Sequence, residues 1–368
     1  MVVCLAVSCT HNKTSLSVGS GVISLSSPQD VIVEMTGETY DKQETILQPV
    51  SYVKLSAIPL LSRIKKIQIA DERIYLWDMG AGIVCYDMSG ELLFQLNARG
   101  QGPGEYTDIN AFAVNASLHQ LVIYDNMKQS LMFYSTEDGR FVKSEKFNKP
   151  TPAEIAYWGG YFFYHNRLHR NYQDDVSLHY YLLASKDGIT IGKRYFEHEN
   201  NKEDYPFSPS GHNLYDNFDN IVYQIHEDSV VPRFRINLPN PLPASMIEER
   251  PNEMSLLRSG YSLGITDIYE YGGLLFFRFV KDGYIWSCLY NVEESKQVYC
   301  TKRIKFLHSS LIDTIDGIYK DCFYSILTPE YLDYAFSENP LEDYPDLFKT
   351  YDVEGDNPVI AFYRAVVR

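Results

Sequence analysis

Residues 99–106, RGQGPGEY, are the first place in the chain where residue types and spacing could do chemistry. Three glycines, a proline and a carboxylate in so short a run raise the question of a phosphate-cradling loop. A dinucleotide fingerprint needs glycine where Glu105 stands, and a P-loop needs a closing Gly-Lys-Ser/Thr that is absent. The run follows an apolar stretch at 92–96 with no helical pattern behind it, so no helix N-terminus would receive phosphate. Pro103 also removes a backbone donor from any anion-binding nest. The expected role is structural. Gly100, Gly102, Pro103, Gly104 and Glu105 turn the chain between two units, with Glu105 accepting hydrogen bonds that organise the crossing.

Other candidate groups are equally incomplete. His165 and His169 in HNRLH have the i, i+4 spacing of a helical zinc pair, but Asn166 stands where a catalytic glutamate is needed and the local pattern is strand followed by loop. The acidic runs YDNFDN at 215–220 and YDVEGDN at 351–357 offer oxygen ligands that would suit calcium; neither fits an EF-hand loop, and Asp and Asn are common turn formers. No G-x-S-x-G elbow occurs. No cofactor is expected, calcium being the one ion these side chains suit. The six cysteines include no C-x-x-C pair, which excludes the usual zinc spacing. In CLYNVEESKQVYC a turn near Glu294 would set Cys288 opposite Cys300 on a hairpin. A bridge there is a candidate, although adjacent-strand disulfides are geometrically awkward and buried free cysteines are common.

The elements that must position these residues are strands. RIYLWDMGAGIVCYDMSGELLFQL and QLVIYDNMKQSLMFYSTEDGRFVKSEKF run the same course, with Asp78, Tyr86, Gly90 and Phe94 matched by Asp125, Tyr134, Gly139 and Phe141, about 47 to 49 residues on. Such a period belongs to repeat architectures. Weaker copies share Gly-Gly turns at Gly159–Gly160 and Gly272–Gly273, each between an aromatic residue and an apolar strand. Only PASMIEERPNEMSLLRSG and TPEYLDYAFSENPLEDYPDLFKTY suggest short helical insertions. Thirty tyrosines and 19 phenylalanines suit pleated surfaces, most of them as packing between units. Four-stranded units arranged radially make a β-propeller, and the spacing alone allows six blades or seven. VSYVKLSA and PVIAFYRAVV are the terminal strands expected to close the ring.

Charge and hydropathy narrow the partners. A net charge of −15, from 33 basic and 48 acidic side chains without a basic run, argues against nucleic acid. No stretch approaches the roughly 20 apolar residues that span a bilayer. The start, MVVCLAVSCTHNK, resembles the end of a bacterial lipoprotein signal with Cys9 as the lipid-bearing residue, although it lacks a basic segment and has Ala6 where a larger aliphatic is usual. Residues 1–28 then read as signal remnant and polar tether, and 29–368 as one domain.

The run from IADERIYLWDMG through GQGPGEYTDINAFAV, together with the terminal YDVEGDNPVIAFYRAVV, resembles the six-bladed β-propeller lipoproteins of Bacteroidetes, which are related to NHL-type propellers. Gly100, Gly102, Pro103, Gly104, Glu105 and Tyr106 match that family's first-blade loop; Asp356, Asn357, Pro358 and Val359 match its closing strand. The resemblance implies six blades, and an exported chain anchored in the cell envelope by lipid alone, periplasmic or surface-exposed. We expect a monomeric, non-catalytic binding or scaffold module for a protein or glycan, with Tyr157, Trp158, residues 161–164, Tyr180 and Tyr181 as candidate contacts. The alternative is a metal-dependent hydrolase or lyase of lactonase type working in the central channel. No ligand set for that chemistry can be placed on this sequence.

Overall fold

The computed structural model describes residues 19–40, 47–147, 151–166, 180–197, 207–210, 213–216, 220–226, 229–243, 246, 253–304, 315–338 and 344–365. Five N-terminal strands come first: β1 (Gly19–Ser20), β2 (Val22–Ile23), β3 (Gln29–Ile32), β4 (Gly37–Tyr40) and β5 (Leu47–Lys54). Blade 1 follows as β6 (Ile64–Ala70), β7 (Arg73–Asp78), β8 (Gly82–Asp87) and β9 (Leu92–Leu96). Blade 2 holds β10 (Ala111–Asn115), β11 (Gln120–Asp125), β12 (Ser130–Ser135) and β13 (Phe141–Lys146). Blade 3 holds β14 (Pro152–Trp158), β15 (Tyr161–Asn166), β16 (Tyr180–Ser185) and β17 (Lys193–Glu197). Blade 4 holds β18 (Phe207–Ser210), β19 (Asn213–Asp216), β20 (Ile221–Ile225) and β21 (Ser229–Asn237). After the short helix α1 (Glu253–Leu257), blade 5 holds β22 (Ser262–Tyr271), β23 (Leu274–Lys281), β24 (Tyr284–Asn291) and β25 (Lys296–Ile304). Blade 6 has β26 (Gly317–Tyr319), β27 (Cys322–Leu327), the helices α2 (Pro329–Glu338) and α3 (Asp346–Lys349), and β28 (Val359–Ala365).

The protein is therefore a six-bladed β-propeller, not a seven-bladed one. Its core is six apolar clusters, one between each pair of neighbouring blades. Tyr75 and Phe94 of blade 1 meet Phe112 and Tyr134 of blade 2; around the ring, Leu274 and Phe276 of blade 5 meet Phe323 and Ala361 of blade 6, with Leu332 of α2 and Phe348 of α3 on the same cluster. Both faces of each blade are covered, which is why β8 is buried without a break from Gly82 to Tyr86 and does not alternate.

Ring closure joins the two ends of the chain. β5 pairs antiparallel with β28, Lys54 opposite Val359 and Leu47 opposite Ala365, as expected of the terminal strands. The closing motif fastens this joint. Asn357 is buried; its Nδ2 donates to Ser56 O at 2.6 Å and Pro59 O at 2.8 Å, and its Oδ1 accepts from Leu61 N at 2.8 Å. Lys54 adds an ion pair to Asp356 at 2.6 Å.

The repeated aspartate has a matching role. Asp78, at the end of the second strand of blade 1, is buried, and accepts from Ser62 N (2.8 Å), Arg63 N (2.6 Å), Gly80 N (2.8 Å) and Ala81 N (2.7 Å). Asp125 does the same in blade 2 for Thr107 N and Lys128 N. In blade 5 the position is Lys281, which donates to Gly260 O, so the charge is reversed while the turn is still tied.

The N-terminal strands were not legible as such. Residues 19–28 read as tether, yet β1 pairs in parallel with β17 and β2 with β21; β3 continues on β21, and β4 lies on β25. Together they form a belt around the perimeter of blades 3 to 5 before β5 enters blade 6. Edge pairing of this kind uses backbone N–H and C=O groups, which every residue but proline carries whatever its side chain, so composition does not announce it.

Candidate functional site in the central channel

The first strands of the blades surround a central cavity of about 1440 Å³, lined by residues of β6, β14, β22 and β26 and by Asn110, Val114 and Asn213 from blades 2 and 4. Most of its polar side chains bind neighbouring blades to one another. Lys66 of β6 reaches across two blade boundaries: its ammonium pairs with Glu154 and donates to Phe112 O at 2.6 Å and Ile155 O at 3.0 Å. Gln68 and Val114 exchange hydrogen bonds between blades 1 and 2, and Asn110 Nδ2 donates to Pro152 O between blades 2 and 3. Arg233 forms a two-pronged pair with Glu270 (2.7 and 3.3 Å) between blades 4 and 5. Asp267 is held by Arg278 at 2.7 Å. Among the described residues, no three His, Cys, Asp or Glu side chains converge as a metal site would require.

His165 of β15 lies opposite Glu154 in the sheet. It is buried, and neither ring nitrogen has a hydrogen-bond partner among the described residues. Burial, with the nearby Lys66 charge in the same direction, lowers its pKa to about 3. The imidazole is thus neutral at physiological pH, and His165 does not line the cavity. His169, with Cys4, Cys9 and residues 217–219, lies outside the described residues, so the i, i+4 pair has no geometry to report; of the first acidic run, Asp216 ends β19 and Tyr215 Oη donates to Asn220 Oδ1 at 2.7 Å. In the second acidic run, Asp352 Oδ1 accepts from Glu354 N and Asp356 Oδ2 from Asp352 N, so its carboxylates tie a turn beside the ring closure.

The loop at 99–106 also sits away from the cavity, between blade 1 and the outer part of blade 2. Glu105 Oε2 accepts from Gly102 N at 2.8 Å, Lys128 Nζ donates to Glu105 O at 2.6 Å, and Tyr134 Oη donates to Gly104 O at 3.1 Å. A side chain on Gly100 would collide with the Glu105 carboxylate, 2.0 Å from the place of its Cβ. Cys288 and Cys300 face each other on β24 and β25 with Cα atoms 4.1 Å apart and their sulfurs in bonding contact. Cys300 gives its backbone bonds to Thr36 on the other side, so this is a non-hydrogen-bonded pair, where facing side chains approach most closely.

One end of the cavity differs from its middle. In three blades the first strand finishes on an aromatic residue immediately before the turn into the second: Trp158 pairs with Tyr161, Tyr271 with Leu274 and Tyr319 with Cys322. At Gly159–Gly160 and Gly272–Gly273 both turn residues have positive φ, the geometry of a tight hairpin that matches strand twist. All three aromatics line the cavity mouth with Tyr157, and Trp158 is 48% exposed. The Gly-Gly turns exposed two of these positions in the sequence. Lys66, Gln68, Asn110, Arg233 and Glu270 gave no such signal, because their partners sit in other repeats and form no local motif.

No curated protein matches the chain. Among solved structures it is similar to a candidate exported protein of Bacteroides fragilis, with 16% identity, 91% of this chain and 100% of that one covered, and a TM-score of 0.70. A member of the DUF4221 family from Bacteroides vulgatus is 10% identical over 88% of this chain and 100% of that one, with a TM-score of 0.52. At such identities the likeness concerns the fold alone. A match over residues 32–364 takes in all six blades and, of the belt, β4, and by it the chain belongs to the family described as Domain of unknown function (DUF4934).

Proposed function

We propose that the protein is an exported binding or scaffold module of the cell envelope, non-catalytic, whose recognition surface is the aromatic mouth of the central channel. The observation that carries this reading is the division of labour in the cavity. Lys66, Glu154 and Glu270 of its wall are engaged in bonds between blades and Asp267 in one within blade 5, whereas Trp158, Tyr271 and Tyr319 line the mouth from three different blades. Aromatic faces beside polar groups suit either a sugar ring or a protein anchor, and a mouth on a concave cavity favours a glycan. Export is supported by the description of the Bacteroides fragilis neighbour, and no helix among the described residues is long and apolar enough to cross a membrane. Anchoring through Cys9, a monomeric state and kinship with NHL-like lipoproteins complete the proposal.

A glycan array read with the purified domain tests it, alongside metal analysis of the same sample. Saturable binding to one glycan class, weakened about tenfold or more by Trp158→Ala, supports the reading. A stoichiometric metal ion whose removal abolishes hydrolysis of a test lactone would replace it with the metal-dependent enzyme. Mass spectrometry of the membrane-expressed chain reads the anchor directly: an acyl adduct at Cys9 is expected, and an unmodified Cys9 would remove that part.

A further inference from the structure

The wall of the channel is interrupted at blade 6. β26 has three residues, against seven in β6 and β14 and ten in β22, so the second strand of blade 6 lines the cavity directly through Tyr324 and Ile326. Asp316, just ahead of β26, accepts from Ile326 N at 2.7 Å and so satisfies a backbone donor that a longer first strand would have paired. Gly317 stands opposite Tyr324 in the sheet, and a Cβ there would collide with the Tyr324 hydroxyl. The glycine thus leaves room for the phenol, in a recess between blades 6 and 1 that Ile326 and Ile67 also border. Tyr324 is 5% exposed, yet its hydroxyl has no hydrogen-bond partner among the described residues. Groups so deeply buried are ordinarily bonded, as the hydroxyls of Tyr134, Tyr344 and Tyr351 are to backbone carbonyls. Tyr75 and Tyr86 also lack partners, but neither lines the cavity; Tyr324 does. Burial, with Tyr269 and Asp316 acting in the same direction, raises the Tyr324 pKa well above its ordinary value, so the phenol keeps its proton and can donate it.

We propose that this recess is a binding site for one neutral sugar residue, whose hydroxyls accept from Tyr324 and donate to Asp316 while its C–H face packs on Ile326 and Ile67. The inference rests on the reading of the channel as a glycan site and adds an inner contact to it. A sugar hydroxyl both donates and accepts, which is what a phenol beside a carboxylate asks for. An ammonium group can only donate and would leave the Tyr324 proton unused; an anionic group would meet the Asp316 charge. The Asp316 carboxylate has acceptor capacity beyond its bond to Ile326 N. Gly317 lies two residues along β26 from Tyr319 at the mouth, about 7 Å at strand spacing, so a single sugar residue can occupy the recess without the aromatic rim.

The test is titration of the full-length protein, followed by NMR, with single neutral hexoses and with glucosamine and glucuronic acid as their cationic and anionic counterparts. Saturable binding of one neutral hexose is expected, weakened about fivefold or more by Tyr324→Phe with no fall in melting temperature, because the deleted oxygen bonds to nothing in the protein. Asp316→Asn, which keeps an acceptor for Ile326 N, should weaken it about tenfold, and Trp158→Ala should leave the affinity for the single sugar unchanged. Four results would overturn the proposal: no saturable binding of any neutral hexose; Tyr324→Phe binding as the natural protein does; tighter binding of glucosamine or glucuronic acid, which would make the recess an ion site; or equal weakening by Trp158→Ala, which would place the sugar at the mouth. The glycan array with Trp158→Ala reads the mouth by itself, so failure of the recess and failure of the mouth are told apart.

Discussion

Replacing Asn357 probes the closure of the ring through one side chain. Asn357→Ala removes three hydrogen bonds, to Ser56 O, Pro59 O and Leu61 N, from a buried site that joins positions roughly 300 residues apart. At about 1 kcal/mol net for each bond, with backbone groups left unpaired, the loss comes to about 3 to 4 kcal/mol. Unfolding entropy of about 2.1 cal/mol/K per residue over roughly 340 residues gives about 0.7 kcal/mol/K, so the melting temperature should fall by about 5 °C. Asn357→Asp sharpens the test. Its carboxylate still accepts from Leu61 N but faces two carbonyl oxygens with a negative charge, and burial raises its pKa above the unfolded value. Stability relative to the natural protein should therefore fall as pH rises above about 4 and recover in acid, where the protonated group donates to one carbonyl. Thermal melts followed by circular dichroism at pH 4.5 and 7.5 read both variants. An alanine variant within about 1 °C of the natural protein, or an aspartate variant equally stable at both pH values, would refute the assignment of Asn357 as the fastener of the closure.

Further outcomes follow from other buried groups. Burial alone would raise the Asp78 carboxyl, yet the backbone donors of Ala81, Arg63, Ser62 and Gly80 hold it below the ordinary carboxylate value. The stability it confers is present above about pH 4 and lost as pH falls through the lowered value, so Asp78→Asn should be less stable at pH 7 and less acid-sensitive, by urea titration across pH. His165 behaves oppositely in sign of charge. With its pKa near 3 in the folded chain, the protein loses about 1.4 kcal/mol per pH unit below about 6.5, and His165→Leu should remove that slope and raise neutral stability. An unchanged slope would show that the ring is protonated in place. For Cys288 and Cys300, alkylation of the denatured, unreduced protein should leave both unlabelled and label both after reduction; labelling without reductant would show free thiols.

What the sequence disclosed, and what it concealed, divides by the range of the interactions. Asp78 and Asp125 each tie turns close by in the chain, so the requirement is met by the same residue in blades 1 and 2 and appears as a period. The Gly-Gly turns are legible for the same reason: positive φ at both residues is a local demand. Asn357 was visible through its motif, but its bonds to residues 56–61 were not. Lys66 and Glu154 stand 88 positions apart and, although each is the third residue of its blade's first strand, differ in side chain, so no repeated motif records their pairing. The belt escaped because strands such as Gly19–Ser20 are bound through the main chain, which carries no pattern. The mouth of the channel fell between these cases. Its aromatics could be seen before two turns, while the cavity that gathers them exists only once the ring has closed.

The central claim is that this mouth recognises a ligand, and the affinity of one glycan class for the natural domain and for Trp158→Ala with Tyr271→Ala tests it most directly. Saturable binding by the natural domain, reduced about tenfold or more in the double variant with its fold retained by circular dichroism, is the predicted result. Equal binding by both proteins, or no saturable binding by either, would contradict it.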